Sequence, residues 1–221
     1  MVFARKFVRR LNFLVATVMF SVFSVSSSAS IISVTPSASQ VNVGDSFSVF
    51  FNISGLSSNA GDSLSGFDLS ILYDPAVATF SGFSFNDPSS AINQLDLAEL
   101  GAFPFAGDAT AAGGVIDAFA ISGNSPAILD SDQANAFQFL ALSFMALAPS
   151  AGALISIDLN DPNLLFVDSG SGILPASFQS ARASVSIVPS AQNLPEPATW
   201  ILLAVGFVAL TSLRQRQLTR T

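Results

Sequence analysis

Cysteine and histidine are both missing from the 221 residues. Without cysteine no disulfide can staple the fold, and no thiol can serve as nucleophile or metal ligand. Without histidine the usual general base, the commonest zinc ligand and any serine–histidine triad are excluded together. Tyrosine and tryptophan occur once each. Sugar-stacking platforms are usually built from these rings, whose polar edges tolerate water, so paired-acid glycoside hydrolysis lacks its platforms as well as its aromatic clamps. Basic residues are also scarce, and they are gathered at the ends. Arg5, Lys6, Arg9 and Arg10 lie near the start, and Arg214, Arg216 and Arg220 near the finish; only Arg182 stands between, against all 15 acidic residues. Such a middle repels nucleic acid and anionic lipid, and nucleic acid is excluded as a partner. Carboxylates are the only abundant titratable groups, and catalysis is not expected of them without a base or sugar platforms.

The basic ends frame apolar runs. The four N-terminal cations precede an apolar stretch from Leu11 to Val25, followed by small residues with Ser27 and Ala29 at the spacing signal peptidase prefers. Residues 1–29 therefore read as a signal peptide handled by the Sec translocon and cut after Ala29. An uncleaved N-terminal anchor is the alternative, but the run is short and serines interrupt it from Ser21 onward.

At the other end, residues 190–197 read as an extended linker containing Pro195, Glu196 and Pro197. The two prolines fix φ and lack amide hydrogens, which keeps Glu196 out of any helix. From Ala198 to Leu213 there is no charge, enough for a helix of roughly 24 Å across a bilayer. Trp200 anchors one interface, and Arg214, Arg216 and Arg220, within a basic tail over 214–221, hold the other on the cytoplasmic side. This order of Pro-Glu-Pro, apolar helix and basic cluster resembles the PEP-CTERM sorting signal of Gram-negative bacteria. The resemblance implies recognition by an exosortase-type membrane protease, transient anchoring in the inner membrane, and release to the cell surface or medium. The plainer reading is an ordinary C-terminal membrane anchor with an incidental Pro-Glu-Pro.

Between the ends, about 160 residues suffice for one domain with a real core. Phenylalanine, with 21 copies, dominates its aromatics. From Ile31 the pattern has period two. Phe47, Val49, Phe51 and Ile53 share one face of Ser46 to Ser54, and Phe67, Leu69, Ile71 and Tyr73 share one face of the next strand. Further strands are expected at Ile31 to Pro36, Val77 to Phe85, Val115 to Ile121 and Asn163 to Val167. Pro88 to Gly114 reads as an excursion, with a helical turn around Ile92 and Leu95, and Ser131 and Asp132 are expected to cap a turn over Gln133 to Phe137. Phe47, Phe51, Phe67, Phe80, Phe83, Phe85, Phe137, Phe139 and Phe144 are assigned to the core.

Val41-Asn-Val-Gly-Asp-Ser-Phe-Ser-Val49 followed by Gly66-Phe-Asp-Leu-Ser-Ile-Leu-Tyr-Asp-Pro75 resembles the opening of a cohesin domain. Gln138 to Ala146, Ala153 to Asp158 and Ser184 to Val188 resemble its later strands. The resemblance spans residues 31–189. It implies an all-β fold, a jelly-roll-like antiparallel β-sandwich of about nine strands related to carbohydrate-binding modules.

The aspartates sit beside Gly, Pro, Asn or Ser, which is turn chemistry first. Calcium is the one cofactor to weigh. Asp158, Asn160 and Asp161 fall within one turn, and Asp130 and Asp132 are a second close pair, yet neither matches the spacing of a calcium loop. The expectation is thus an exported, non-catalytic sandwich binding exopolysaccharide or surface proteins of an extracellular matrix. The alternative is a cohesin-like protein–protein docking module.

Overall fold

The computed structural model describes residues 29–57, 59, 61–88, 90–97 and 105–190. The N-terminal signal, the Pro195, Glu196 and Pro197 motif, the apolar segment and the arginine tail lie outside the described residues.

Two β-sheets pack face to face. The smaller has five strands: β1 (Ser30–Pro36), β3 (Ser46–Ser54), β5 (Ala78–Ser84), β8 (Ala136–Ala146) and β11 (Ala176–Ser180), in the order β11-β1-β3-β8-β5. The larger has seven: β2 (Gln40–Asn42), β4 (Leu64–Leu72), β6 (Phe105–Ala112), β7 (Val115–Ser122), β9 (Ser150–Ile157), β10 (Leu165–Asp168) and β12 (Arg182–Val188). Its order is β2-β12-β9-β4-β7-β6, with β10 paired to the start of β4. One helix, α1 (Pro126–Asp132), joins β7 to β8. Among the described residues no helix is long and apolar enough to cross a membrane.

Among the described residues twelve strands stand where about nine were expected, for two reasons. Both ends of the domain change sheets: the segment from Ser30 leaves β1 to form β2 in the opposite sheet, and the segment from Ala176 passes from β11 to β12. Each of these two extended stretches is thereby counted twice. The second reason is β6, which lies inside the presumed excursion. Its sequence, Phe-Ala-Gly-Asp-Ala-Thr-Ala-Ala, lacks alternating large apolar groups, because it is an edge strand paired only with β7. Gly113 (φ +60°) and Gly114 (φ +86°) close that hairpin, and two consecutive positive φ angles in a two-residue loop favour glycine.

The core lies between the sheets, where phenylalanine packs among leucine and isoleucine. Phe144 stacks on Phe47 (centroids 5.5 Å) and meets Tyr73 at 5.5 Å, while Phe139 contacts Phe67 at 4.9 Å and Phe166 at 6.0 Å. Burial of each such ring contributes about 1.5–3 kcal/mol. Phe80 is only partly buried, and Phe83 is exposed at the rim of β5. That corrects its assignment to the core: a register shift between Phe80 and Gly82 displaces this end of an edge strand.

The helix is also displaced from its expected place. Asp132 is its last residue rather than its cap, and Ala136 to Phe137 already belong to β8. The cap is Ser125, whose hydroxyl accepts from the Ile128 N–H (3.4 Å), with Pro126 pre-set for the first turn. Gln133 then completes the ladder beside β4, accepting from Leu64 N–H (2.8 Å) and donating to the Leu64 carbonyl (2.8 Å). Asp130 accepts from the buried hydroxyls of Ser63 and Ser169, each at 2.6 Å. These bonds fix α1 and the turn after β10 against the start of β4.

Candidate functional site

β4 is the middle of the larger sheet. On one side β7 pairs with it from Gly66 to Leu72; on the other, β10 pairs with its first half and β9 with its last two residues. Phe67, Leu69 and Ile71 point into the core, so alternation turns Asp68, Ser70 and Leu72 outward. On β7 the parity is unusual. Ile116, Ala118 and Ala120 face inward, while Val115, Asp117, Phe119 and Ile121 face out. The inward alanines lie opposite Phe67 and Leu69, small residues facing large ones so that the layer fits. Val115, Phe119 and Ile121 of β7 are left on the surface, and only Ile116 of its large apolar residues is buried.

Register assembles these outward residues into rows. Gly66 lies between Val167 of β10 and Ile121 of β7, and Val167 is bridged to Ile173. Asp68 lies between Leu165 and Phe119, and Phe119 faces Asp108 of β6. Ser70 faces Asp117, which faces Thr110. Leu72 lies between Ser156 of β9 and Val115. Exposure is substantial: 56% for Ile121, 43% for Phe119, 37% for Leu165 and 38% for Leu72. The face therefore has apolar groups at both ends and carboxylates through its middle, on a backbone held by sheet hydrogen bonds.

The residues weighed for calcium belong to this face in a different role. Asp158, Asn160 and Asp161 form the turn after β9, in the gap between β9 and β10. Asp158 N–H donates to the Ser70 carbonyl (2.8 Å), Asp158 Oδ1 accepts from Asn160 N–H (2.9 Å), and Asp161 Oδ1 accepts from Asn163 N–H (2.9 Å). The carboxylates thus cap backbone turns. Asp130, of the second pair, is engaged by two serines as described above. Among the described residues no three acidic or other ligating side chains are grouped to hold a metal ion.

Electrostatics tie the turn to the strand. Partial burial, then the charges of Asp117 and Asp161, push the Asp68 carboxyl above its ordinary range. Asp161 is held below that range, chiefly by the Asn163 N–H and then by the Ser70 hydroxyl. The first carboxylate is poorly compensated and the second well compensated, on adjacent elements.

Asp117, Phe119 and Ile121 were not singled out from sequence. A partial signal was present: in Val115 to Ser122 Phe119 and Ile121 share a parity with Asp117, and Ala118 and Ala120 share the other with Ile116. Which parity faces the core depends on what β4 already places there.

The sequence matches no protein-family model and no curated protein. Solved structures do match the fold. One is CaCohA2 from Clostridium acetobutylicum, at 17% identity and TM-score 0.55, covering 76% of this chain and 96% of that one. Another is a cohesin in complex with a dockerin from Clostridium thermocellum, at 12% identity and TM-score 0.52, covering 73% and 100%. A third is a non-cellulosomal cohesin from the archaeon Archaeoglobus fulgidus, at 11% identity and TM-score 0.50, covering 73% and 92%. At these identities the likeness concerns the fold, and the fold of this chain is a cohesin-like β-sandwich.

Proposed function

We propose that the domain is a non-catalytic protein–protein docking module whose working surface is the outer face of the larger sheet. The observation that carries this reading is the parity of β7, which leaves Phe119 and Ile121 exposed, with Leu165 in the same row across Asp68. Large apolar groups clustered on such a surface mark interaction sites. The likeness to a cohesin solved with its dockerin supports a dockerin-type module as the partner. The lack of histidine and cysteine, with Asp158 and Asp161 committed to turns, supports a role without catalysis.

The test is titration of purified dockerin modules into the full-length chain by isothermal calorimetry. Phe119→Asp is expected to weaken binding at least about tenfold, as truncation of an interface anchor does, while the thermal midpoint holds. Equal affinity of the variant and the parent would remove this face from the proposal.

Export is part of the same proposal. Residues 1–29 direct secretion, and Pro195, Glu196 and Pro197 with the following apolar segment and Arg214, Arg216 and Arg220 direct sorting by an exosortase-type protease. Mass spectrometry of protein recovered outside the cell would show a start near Ser30 and an end near the Pro-Glu-Pro motif; an intact arginine tail there would reject the sorting step.

A second reading, weak binding of a neutral exopolysaccharide, is favoured by one observation. The outer face of the smaller sheet carries hydroxyls around a half-buried Phe50 and no charge. Glycan-array binding lost on Ser48→Asp would support it, and an array without signal would reject it.

A further inference from the structure

The apolar groups on the larger sheet's outer face do not form one continuous patch. Ile121, Phe119 and Leu165 lie toward one end and Leu72 and Val115 toward the other, with Asp68 and Asp117 among them. Asp108 carries the acidic row to the edge strand, and the turn bearing Asp161 carries it to the gap between β9 and β10. Neighbouring strands are about 5 Å apart, so a partner that covers the apolar side chains must also cover the carboxylates. Taking a carboxylate out of water without a counter-charge is costly.

The domain has little with which to supply that counter-charge. Arg182 is the only basic residue of the domain, and it sits on β12 opposite Ser156, away from Asp68 and Asp117. In a symmetric contact the same patch meets itself. Two copies joined through this face would therefore oppose acid to acid, and like charges across an interface cost several kcal/mol. The smaller sheet's outer face has no such restriction, since none of its five strands contains a charged residue.

Resting on the docking reading above, we infer that the occupant of this face is a different protein with a cationic contact surface, not a second copy of the chain. Its lysine or arginine side chains meet Asp68, Asp108 and Asp117, and its aliphatic or aromatic groups meet Phe119, Ile121 and Leu165. Encounter is steered by charge and is correspondingly sensitive to salt.

Three helical peptides test this. All share one leucine and phenylalanine stripe, and they differ in flanking residues: lysine and arginine, glutamine, or glutamate. Each is titrated against the full-length chain at about 50 and about 300 mM NaCl, which brackets a substantial change in screening. The cationic peptide is expected to bind about tenfold more tightly than the glutamine peptide at low salt, with most of that advantage lost at high salt. The near-isosteric double variant Asp68→Asn/Asp117→Asn, checked for an unchanged melting temperature, is expected to lose the advantage and keep the residual binding. Phe119→Ser is expected to weaken both peptides. If the glutamine and cationic peptides bind equally and both need Phe119, docking stands and the cationic partner is rejected. If the cationic peptide binds by charge alone, indifferent to Phe119→Ser, or does not bind at all, the inference is overturned and the docking face fails with it. Concentration-dependent dimerisation abolished by Phe119→Ser would also overturn it.

Discussion

The two outer faces of the sandwich are built from strands of similar length, yet they differ completely in charge. The five strands of the smaller sheet contain no charged residue; the larger sheet carries Asp68, Asp108, Asp117, Asp168 and Arg182. The smaller sheet satisfies its outward groups locally, with the Ser48 and Ser143 hydroxyls 3.4 Å apart and Asn52 donating to Thr35 Oγ1 (3.3 Å). The larger sheet leaves an under-compensated carboxylate beside exposed phenylalanine and isoleucine. Folding needs only the inward half of each strand, so the outward half is free to differ. The docking proposal rests on that difference between the faces.

The largest effect expected from breaking this comparison is on the side both sheets share. Phe144→Ala removes a fully buried ring that touches Phe47, Tyr73 and Phe80; it should cost about 3–5 kcal/mol in urea denaturation. Next comes a change confined to the outer faces. Ile121→Asp on the larger sheet should weaken partner binding about tenfold or more, whereas Ser48→Asp on the smaller should leave it unchanged. Calorimetry on both variants reads the contrast, and similar losses would mean that the faces are not functionally distinct. A smaller effect is expected at the hairpin joining β6 to β7. Gly114→Ala places a Cβ 2.9 Å from the Tyr73 carbonyl at φ +86° and should cost about 1–3 kcal/mol of stability without reaching the docking residues directly.

The smallest effect concerns pH. Because Asp68 is held above its ordinary range, the folded chain binds a proton before the unfolded chain does, and stability falls as pH rises through that window. Asp68→Asn should therefore stabilise near neutrality by no more than about 0.5 kcal/mol, since the site is screened by solvent. That gain should disappear at acid pH, where Asp68 is protonated in both states. Asp161 has the opposite sign: its contribution is present above the unfolded value and is lost as pH falls through the lowered folded value. Melting temperatures of D68N and D161N across the acid range separate the two.

Much of the sandwich was legible in single strands. Ser46 to Ser54 announced both its conformation and its buried face, because phenylalanine and isoleucine alternate there with serine and asparagine. The start of α1 was missed, although Ser125 followed by Pro126 is a helix-start signal that outweighs Ser131 and Asp132. β6 was not legible: its alanines and glycine accommodate its neighbours rather than pack by themselves. A Cβ at Gly107 would come within 2.9 Å of the Phe85 and Phe105 rings, so the strand's composition answers to residues distant in the chain.

By itself the sequence determined that the domain is acidic, free of thiol and imidazole chemistry, and built of alternating strands around phenylalanine. Those properties depend on residue types and near neighbours alone. Only the tertiary structure decided that Asp68, Asp117 and Asp161 share a surface with Phe119, Ile121 and Leu165. Strand register and the parity of β7 are set by which side chains fill the space between the sheets, and that space exists only once both sheets are in place.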